Sequence, residues 1–284
     1  MTATEATTLS SLCAACAREA RASLAGPESL EDEEIVHRLR VATKRLRAAW
    51  RLASGIAGKD LSRARRDALR ELSGLLSHAR DRAVSLELAR KLAENAPETA
   101  ERTAFAALLD AFGPNRVESP TQPCWVETLE TVIRHLDDEI AAWNGLDWSD
   151  AKRVRRELRR QLRRSRGRAR RDCLVARRNG DDPEIWHEWR KAVKQWRYQR
   201  EFAAALSGRA SGPFDARISR LGTRLGERND LANLAAIADR ALRKGALSPE
   251  AHGRLTRAIV RAERAVQRSA TRLGRLVFLR RPAS

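Results

Sequence analysis

Hydrophobic residues recur along this chain at spacings of three and four, and Leu and Ala fill most of these positions. Such spacing places apolar side chains on one face of an α-helix, and no segment has the alternating β-branched pattern of a strand. Glycine and proline residues divide the pattern into segments. The sequence therefore predicts an all-α protein with helices at residues 5–25, 31–54, 60–79, 82–95, 98–112, 124–144, 150–178, 184–207, 214–226, 229–244 and 249–279.

One basic motif occurs twice. The segment HRLRVATKRLR begins at His37 and HEWRKAVKQWRY begins at His187, and in each the histidine is followed at +3, +7 and +10 by Arg, Lys and Arg. Similar segments follow at nearly the same offset, LLSHARDRAV at 75–84 and RLGERNDLAN at 224–233. This repeat predicts two helical halves, 1–146 and 147–284, within one domain that covers residues 1–284. Duplicated halves usually pack about a pseudo-twofold axis.

The basic residues of each motif form a row along one helix. At 100° per residue the row of the first motif spans an arc of about 80°. It lies beside the apolar arc of Leu39, Leu46 and Trp50, and in the second motif Trp186, Trp189 and Trp196 take the core side. We therefore expect these tryptophans to pack in the core instead of stacking on bases. We call the two sets the first row (His37, Arg40, Lys44, Arg47, Arg51) and the second row (His187, Arg190, Lys194, Arg197).

The 284 residues carry a formal charge of +19, from 56 Lys and Arg against 37 Asp and Glu. Only seven of the 56 are lysine, so a coding preference for arginine is an alternative source of this charge. The position of the charge is more informative, because no acidic residue occurs between Val36 and Leu52, whereas exposed helices usually mix signs. The position of each basic row beside the core face indicates that the row forms the wall of an internal groove. Two such charges about 6 Å apart repel by roughly 3 kcal/mol at an effective dielectric near 20, and a bound polyanion would relieve this repulsion.

Two further helices carry strips of arginine. Residues 152–171 include a strip that we regard as a second candidate for polyanion contacts, formed by Arg155, Arg159, Arg163 and Arg166. The last helix has a comparable strip formed by Arg254, Arg257, Arg261, Arg264, Arg268, Arg272 and Arg275. A solvated helix face explains either strip equally well, so both rank below the two rows.

The doubled motif, the two segments that follow it and the ending RLGRLVFLRRP at 272–282 resemble the CHAD family, the conserved histidine α-helical domain. The resemblance covers nearly the whole chain. It implies a two-lobed helical bundle in which the first and second rows line a central pore that holds inorganic polyphosphate. His78 and Ala79 stand where the second half has Glu227 and Arg228, and Asn229 replaces the arginine expected before Asp230. These departures concern the segments that support the rows.

We therefore expect a non-catalytic protein that binds inorganic polyphosphate and needs no cofactor or metal. Arginine suits this ligand because its planar guanidinium donates two parallel hydrogen bonds to phosphate oxygens. We also expect each row histidine to be neutral when unliganded and to donate one hydrogen bond, and phosphate contact to favour its charged form. No apolar run approaches the roughly 18 residues that span a bilayer, and the amino terminus lacks the pattern of a secretory signal. These features predict a cytoplasmic protein with no membrane partner, and the ligand would associate it with polyphosphate granules.

Three alternatives remain open. The basic helices permit nucleic-acid binding as a secondary activity, although only 5% of residues are aromatic and few remain for base stacking. The second alternative is an enzyme that acts on phosphate chains, in which the row histidines serve as general acid or nucleophile. No GxxxxGK[ST] or HExxH motif supports this alternative. The third is a structural protein whose charge serves solubility. The CxxC at Cys13 and Cys16 lacks a second ligand pair, which favours buried thiols over a zinc site.

Overall fold

The computed structural model describes residues 8–30, 32–76, 80–111, 125–180 and 182–279, with only the backbone at residues 27, 80–83 and 125. Within these ranges the chain is helical and contains no strand, so the predicted all-α class is confirmed. The described helices are α1 (Leu9–Ala22), α2 (Glu33–Leu52), α3 (Ser54–Ala57), α4 (Lys59–Leu75), α5 (Arg80–Glu94), α6 (Thr99–Ala111), α7 (Trp125–Asn144), α8 (Ala151–Arg178), α9 (Pro183–Leu206), α10 (Pro213–Arg243) and α11 (Pro249–Phe278), with a 3-10 turn at Pro27–Leu30.

Local signals in the sequence fix the start of the helix that carries the first row. Asp32 is the N-cap of α2, and its carboxylate accepts hydrogen bonds from the backbone N–H groups of Glu34 at 2.8 Å and Ile35 at 3.2 Å. Glu33 and Glu34 then place negative charge at the positive end of the helix dipole. At the boundary between α3 and α4, Gly58 adopts a φ of 86°, a conformation that favours glycine.

The structure differs from the predicted helices at two main places: α3 (Ser54–Ala57) extends into the predicted break after residue 54, and one helix replaces two near the second row. Helices were expected at 214–226 and 229–244, but α10 runs without a break through Pro213–Arg243. The residues expected to interrupt it, Gly226 to Asn229, stay helical because neighbouring elements hold them. Arg228 is buried, and the Asn229 side chain bonds to His187 instead of capping a new helix. A capping residue breaks a helix only when its side chain is free to bond to the adjacent backbone.

The chain divides into two compact units, each of which contains segments from both predicted halves. Unit 1 comprises Met1–His78, Gln122–Ala169 and Ala192–Ala216. Within it α1, α2, α4 and α7 contact one another in a ring, which forms a four-helix bundle. The bundle core includes Leu39, Leu46, Trp50 and Trp143, all fully or almost fully buried. The predicted apolar arc of α2 therefore faces the core of unit 1.

Unit 2 comprises Ala79–Thr121, Arg170–Lys191 and Arg217–Ser284. Its described core draws on α5, α6, α10 and α11, and α6 contacts both α5 and α11. Phe105, Leu108, Leu234 and Leu255 lie at the centre of this core and are buried to at least 99%. None of the helices in the described residues of either unit has an apolar stretch of the length that spanning a bilayer requires.

Candidate functional site

A buried carboxylate fixes the rotation of α2 about its own axis. Glu139 of α7 accepts hydrogen bonds from the indole N–H of Trp50 at 2.6 Å and of Trp143 at 3.2 Å, and from Nε of Arg65 at 2.8 Å. Burial raises the pKa of this carboxyl, whereas the Arg65 guanidinium acts to lower it. The network links α2, α4 and α7, and it holds Trp50 in the core so that the first row lies beside the core and not in it.

All five residues of the first row are half-buried, as a groove wall would be. Arg40 also has a structural role, because its Nη1 donates to the backbone carbonyl of Leu76 at 3.0 Å. Leu76 is the C-cap of α4, so this bond satisfies a carbonyl at the negative end of that helix. Part of the Arg40 guanidinium is therefore already used in the protein, which leaves fewer of its donors for a ligand.

Three further arginines surround the end of the first row, and none was predicted. Arg66 and Arg70 on α4 and Arg168 on α8 all lie near enough to Arg51 to act on its charge. Burial, followed by repulsion from these arginines and from Arg47, lowers the pKa of Arg51 to about 10. The spacing of Arg63, Arg66 and Arg70 on α4 would have been the only signal in the sequence, and ordinary charged helices share that spacing.

The burial of Arg51 and the repulsion from its neighbours predict a gain in stability when its charge is removed. The pKa of Arg51 is lower in the folded protein than in the unfolded chain, so its charge opposes folding below about pH 10, and the effect fades only as pH rises above about 10. We expect Arg51→Met, which keeps the length of the side chain, to raise the melting temperature at pH 7 by about 2–4 °C, equivalent to about 1 kcal/mol. Arg217→Met on an exposed part of α10 is the control, and a lower melting temperature for Arg51→Met would contradict the prediction.

The second row lies on α9, and its four residues are likewise half-buried. Nδ1 of His187 lies 2.8 Å from Oδ1 of Asn229 on α10. Since the amide oxygen can only accept, His187 donates this hydrogen bond. Asn229, which departs from the family pattern, therefore supports the second row directly. The corresponding residues of the first half, His78 and Ala79, lie outside the described residues.

Three further contacts shape the ends of the second row, two in unit 2 and one in unit 1. Arg228 is buried, its guanidinium carbon lies 5.2 Å from the ring centroid of Trp186, and it lies 3.9 Å from Glu263. Because Trp186 precedes His187 in the sequence, Arg228 packs against the start of the second row. At the other end Nε of Arg197 lies 3.2 Å from Glu201. The sequence places Arg228 in a segment expected to support the rows, but it does not indicate the contacts with Trp186 and Glu263, which come from other helices.

The outer arginine strips differ from the two rows in exposure. Arg155, Arg159, Arg163 and Arg166 on α8 are all exposed to solvent. On α11, six of the seven strip residues are exposed, and Arg261 donates to both carboxylate oxygens of Glu101, at 2.9 and 2.7 Å. Exposed charges are screened by water and salt, which is the environment of an ordinary solvated face.

The tryptophan and cysteine expectations are confirmed for the described residues. Trp50, Trp186, Trp189 and Trp196 are at most 3% exposed, so they pack in the core. The free thiols of Cys13, Cys16 and Cys173 are buried, and burial raises the pKa of each. Cys124 lies outside the described residues. In the part of the chain that the structure describes, no three His, Cys, Asp or Glu side chains cluster as metal ligands.

The described residues thus form an α-helical protein with two half-buried cationic rows. The CHAD domain model matches residues 12–239, and the chain therefore belongs to the CHAD family. The fold is similar to that of PptA from Streptomyces chartreusis, with a TM-score of 0.66 and 19% sequence identity over 96% of this chain and 98% of that chain. This similarity shows a shared fold. Comparison with curated proteins gives no match to the sequence.

Proposed function

We propose that this protein binds inorganic polyphosphate without catalysing its turnover, through the first and second rows. The observation that carries the proposal is the cluster of arginines at the end of the first row, where burial and neighbouring positive charge lower the pKa of the half-buried Arg47 and Arg51. A protein does not gain stability from such a cluster, whereas a chain of phosphates would neutralise it. Membership of the CHAD family supports the same ligand class.

The rows can hold phosphate oxygens in two ways. The guanidinium groups of Arg47, Arg51 and Arg190 can each donate two parallel hydrogen bonds, while Lys44 and Lys194 supply point charges that suit a flexible chain. Arg40 contributes less, since one of its nitrogens is bonded to the Leu76 carbonyl. That the two rows line one central pore is part of this proposal, as is association of the protein with cytoplasmic polyphosphate granules.

A calorimetric titration with polyphosphate of defined chain lengths tests the proposal. We expect affinity to rise with chain length until the chain is long enough to make every contact, and then to level off. The rows offer a fixed number of contacts, so longer chains gain nothing more. Short single-stranded RNA at equal phosphate concentration should not displace a long polyphosphate chain. Displacement would instead assign the protein to the nucleic-acid binders, and release of inorganic phosphate in the presence of magnesium would assign it to the enzymes.

The bond between His187 and Asn229 predicts proton uptake on binding. In the neutral ring the proton is on Nδ1 and is donated to Asn229, so Nε2 can donate to a phosphate oxygen only after it binds a second proton. Calorimetry in buffers of different ionisation enthalpy should therefore detect proton uptake. Asn229→Ala frees the ring to place its one proton on Nε2, and we expect uptake to fall. Equal uptake by the two proteins would contradict the assigned role of Asn229.

A further inference from the structure

A groove of about 410 Å³ lies between α1 and α2, within unit 1. Small side chains form its floor, because Cys16 and Ala20 on α1 oppose Ala42 on α2, and all three are at most 8% exposed. Val41 and Ser23 contribute to its sides. A volume of this size is within the roughly 300–1,000 Å³ of pockets that hold small molecules.

The charged groups of the groove are few and of both signs. Arg38 and Arg45 come from α2 and Glu19 comes from α1, and His37 borders the groove. Arg40, Lys44, Arg47 and Arg51 of the first row are not among the lining residues. On the helix Arg45 lies about 100° from Lys44, so the groove faces a different direction from most of the first row.

Arg45 gives the strongest indication that this groove binds a ligand. Its Nε is buried and forms no hydrogen bond with any of the described residues. Its guanidinium carbon lies 5.7 Å from the ring centroid of Phe202, and its charge acts against burial to lower the pKa of Cys16 on the groove floor. A buried donor without an acceptor is unfavourable. The Arg45 side chain lines the groove, so an anion bound there would offset the charge of its guanidinium.

We propose that this groove is a second binding site, specific for a small organic anion with one phosphate or carboxylate head and a short apolar body. Arg45 and Arg38 hold the head, and the body packs against Ala20, Val41 and Ala42. The carboxylate of Glu19 repels a ligand with many negative charges, which separates this site from one for polyphosphate. The inference goes beyond the proposed polyphosphate function and does not depend on it.

The test uses three probes that separate the head from the body: phenyl phosphate, benzoate and inorganic phosphate. The full chain is labelled with ¹³C at its histidine rings, and the His37 signal is followed by NMR as each probe is added. We expect phenyl phosphate or benzoate to shift this signal with saturation, at least tenfold more tightly than inorganic phosphate. Whichever of phenyl phosphate and benzoate binds with the higher affinity identifies the preferred head group. Equal affinity for all three would mean an adventitious anion only and would overturn the proposal, as would the absence of any shift.

Two variants locate the binding. Arg45→Gln removes the charge and should weaken binding of the aromatic anion at least tenfold. Because Arg45 packs on Phe202, the helix content and melting temperature of this variant are also measured. Val41→Trp keeps the charge and fills the half-buried side of the groove, so it should abolish binding of the aromatic anion while polyphosphate affinity stays unchanged. If both variants bound the aromatic anion as the native protein does, the proposal would be wrong. A fall in polyphosphate affinity with Val41→Trp would also overturn it, because the groove would then belong to the polyphosphate site.

Discussion

Replacing Lys44 and Arg47 with alanine should lower the affinity for long-chain polyphosphate by roughly two to four orders of magnitude. A hydrogen bond to a charged group contributes about 1.5–3 kcal/mol, so the loss of two amounts to about 3–6 kcal/mol. These two residues are chosen because Arg40 also holds the end of α4 through the Leu76 carbonyl. Burial and neighbouring arginines lower the pKa of Arg47, so its removal should not weaken the fold.

The control for this double variant removes the same charge from an exposed surface. Arg217 and Arg220 on α10 are both exposed, and their replacement with alanine should change the affinity only slightly. Affinity is measured by titration calorimetry, and circular dichroism verifies that each variant keeps its helix content. Equal losses in the two double variants would indicate binding through diffuse net charge, and the assignment of the first row would then be wrong.

The salt dependence of binding gives a second measure of the same contacts. If about eight phosphates are neutralised, the single-strand rule predicts a log–log slope of affinity against salt near −5 to −6. Loss of Lys44 and Arg47 should then reduce the magnitude of the slope by about 1.4, since each contact contributes about 0.7. A slope that does not change would mean that neither residue contacts a phosphate.

Much of this fold follows from local patterns in the sequence. Hydrophobic periodicity identified the long helices, and the apolar arc predicted that Leu39, Leu46 and Trp50 would be buried, as they are. Prediction was wrong where a local signal was outweighed by a tertiary contact. Asn229 is a good capping residue, yet α10 continues through it because its side chain bonds to His187.

The candidate site was predictable only in part, for a related reason. The two rows repeat a motif along single helices, so spacing alone could group them. Arg66, Arg70 and Arg168 join the first row from other helices, and local spacing contains no information about that packing. Glu139 illustrates the same limit. Its spacing from Val132, Leu136 and Trp143 places it on the buried face of α7, but nothing in the sequence indicates that Trp50 and Arg65, from other helices, bond to its carboxylate.

A single glycine fixes how closely α11 approaches the helix of the second row. At Gly274 an added Cβ would lie 2.8 Å from Cζ2 of Trp189 and 2.9 Å from Sγ of Cys173, closer than side chains pack. Trp189 and Cys173 are fully buried, so neither can move without disturbing the interior. Trp189 also lies between His187 and Arg190 in the sequence, so a displaced indole would disturb the second row.

Gly274→Ala should therefore destabilise the protein, although alanine is the better helix former. Overpacking costs about 1–3 kcal/mol or more, and the higher helix propensity of alanine recovers up to about 1 kcal/mol. Gly226 on α10 is the matched control, because a Cβ there meets nothing within 4 Å. Gly226→Ala should then raise the melting temperature by about 2–4 °C, while Gly274→Ala lowers it. The opposite signs distinguish close packing at Gly274 from a general effect of helical glycines, and a rise in both variants would show that Trp189 can shift without loss.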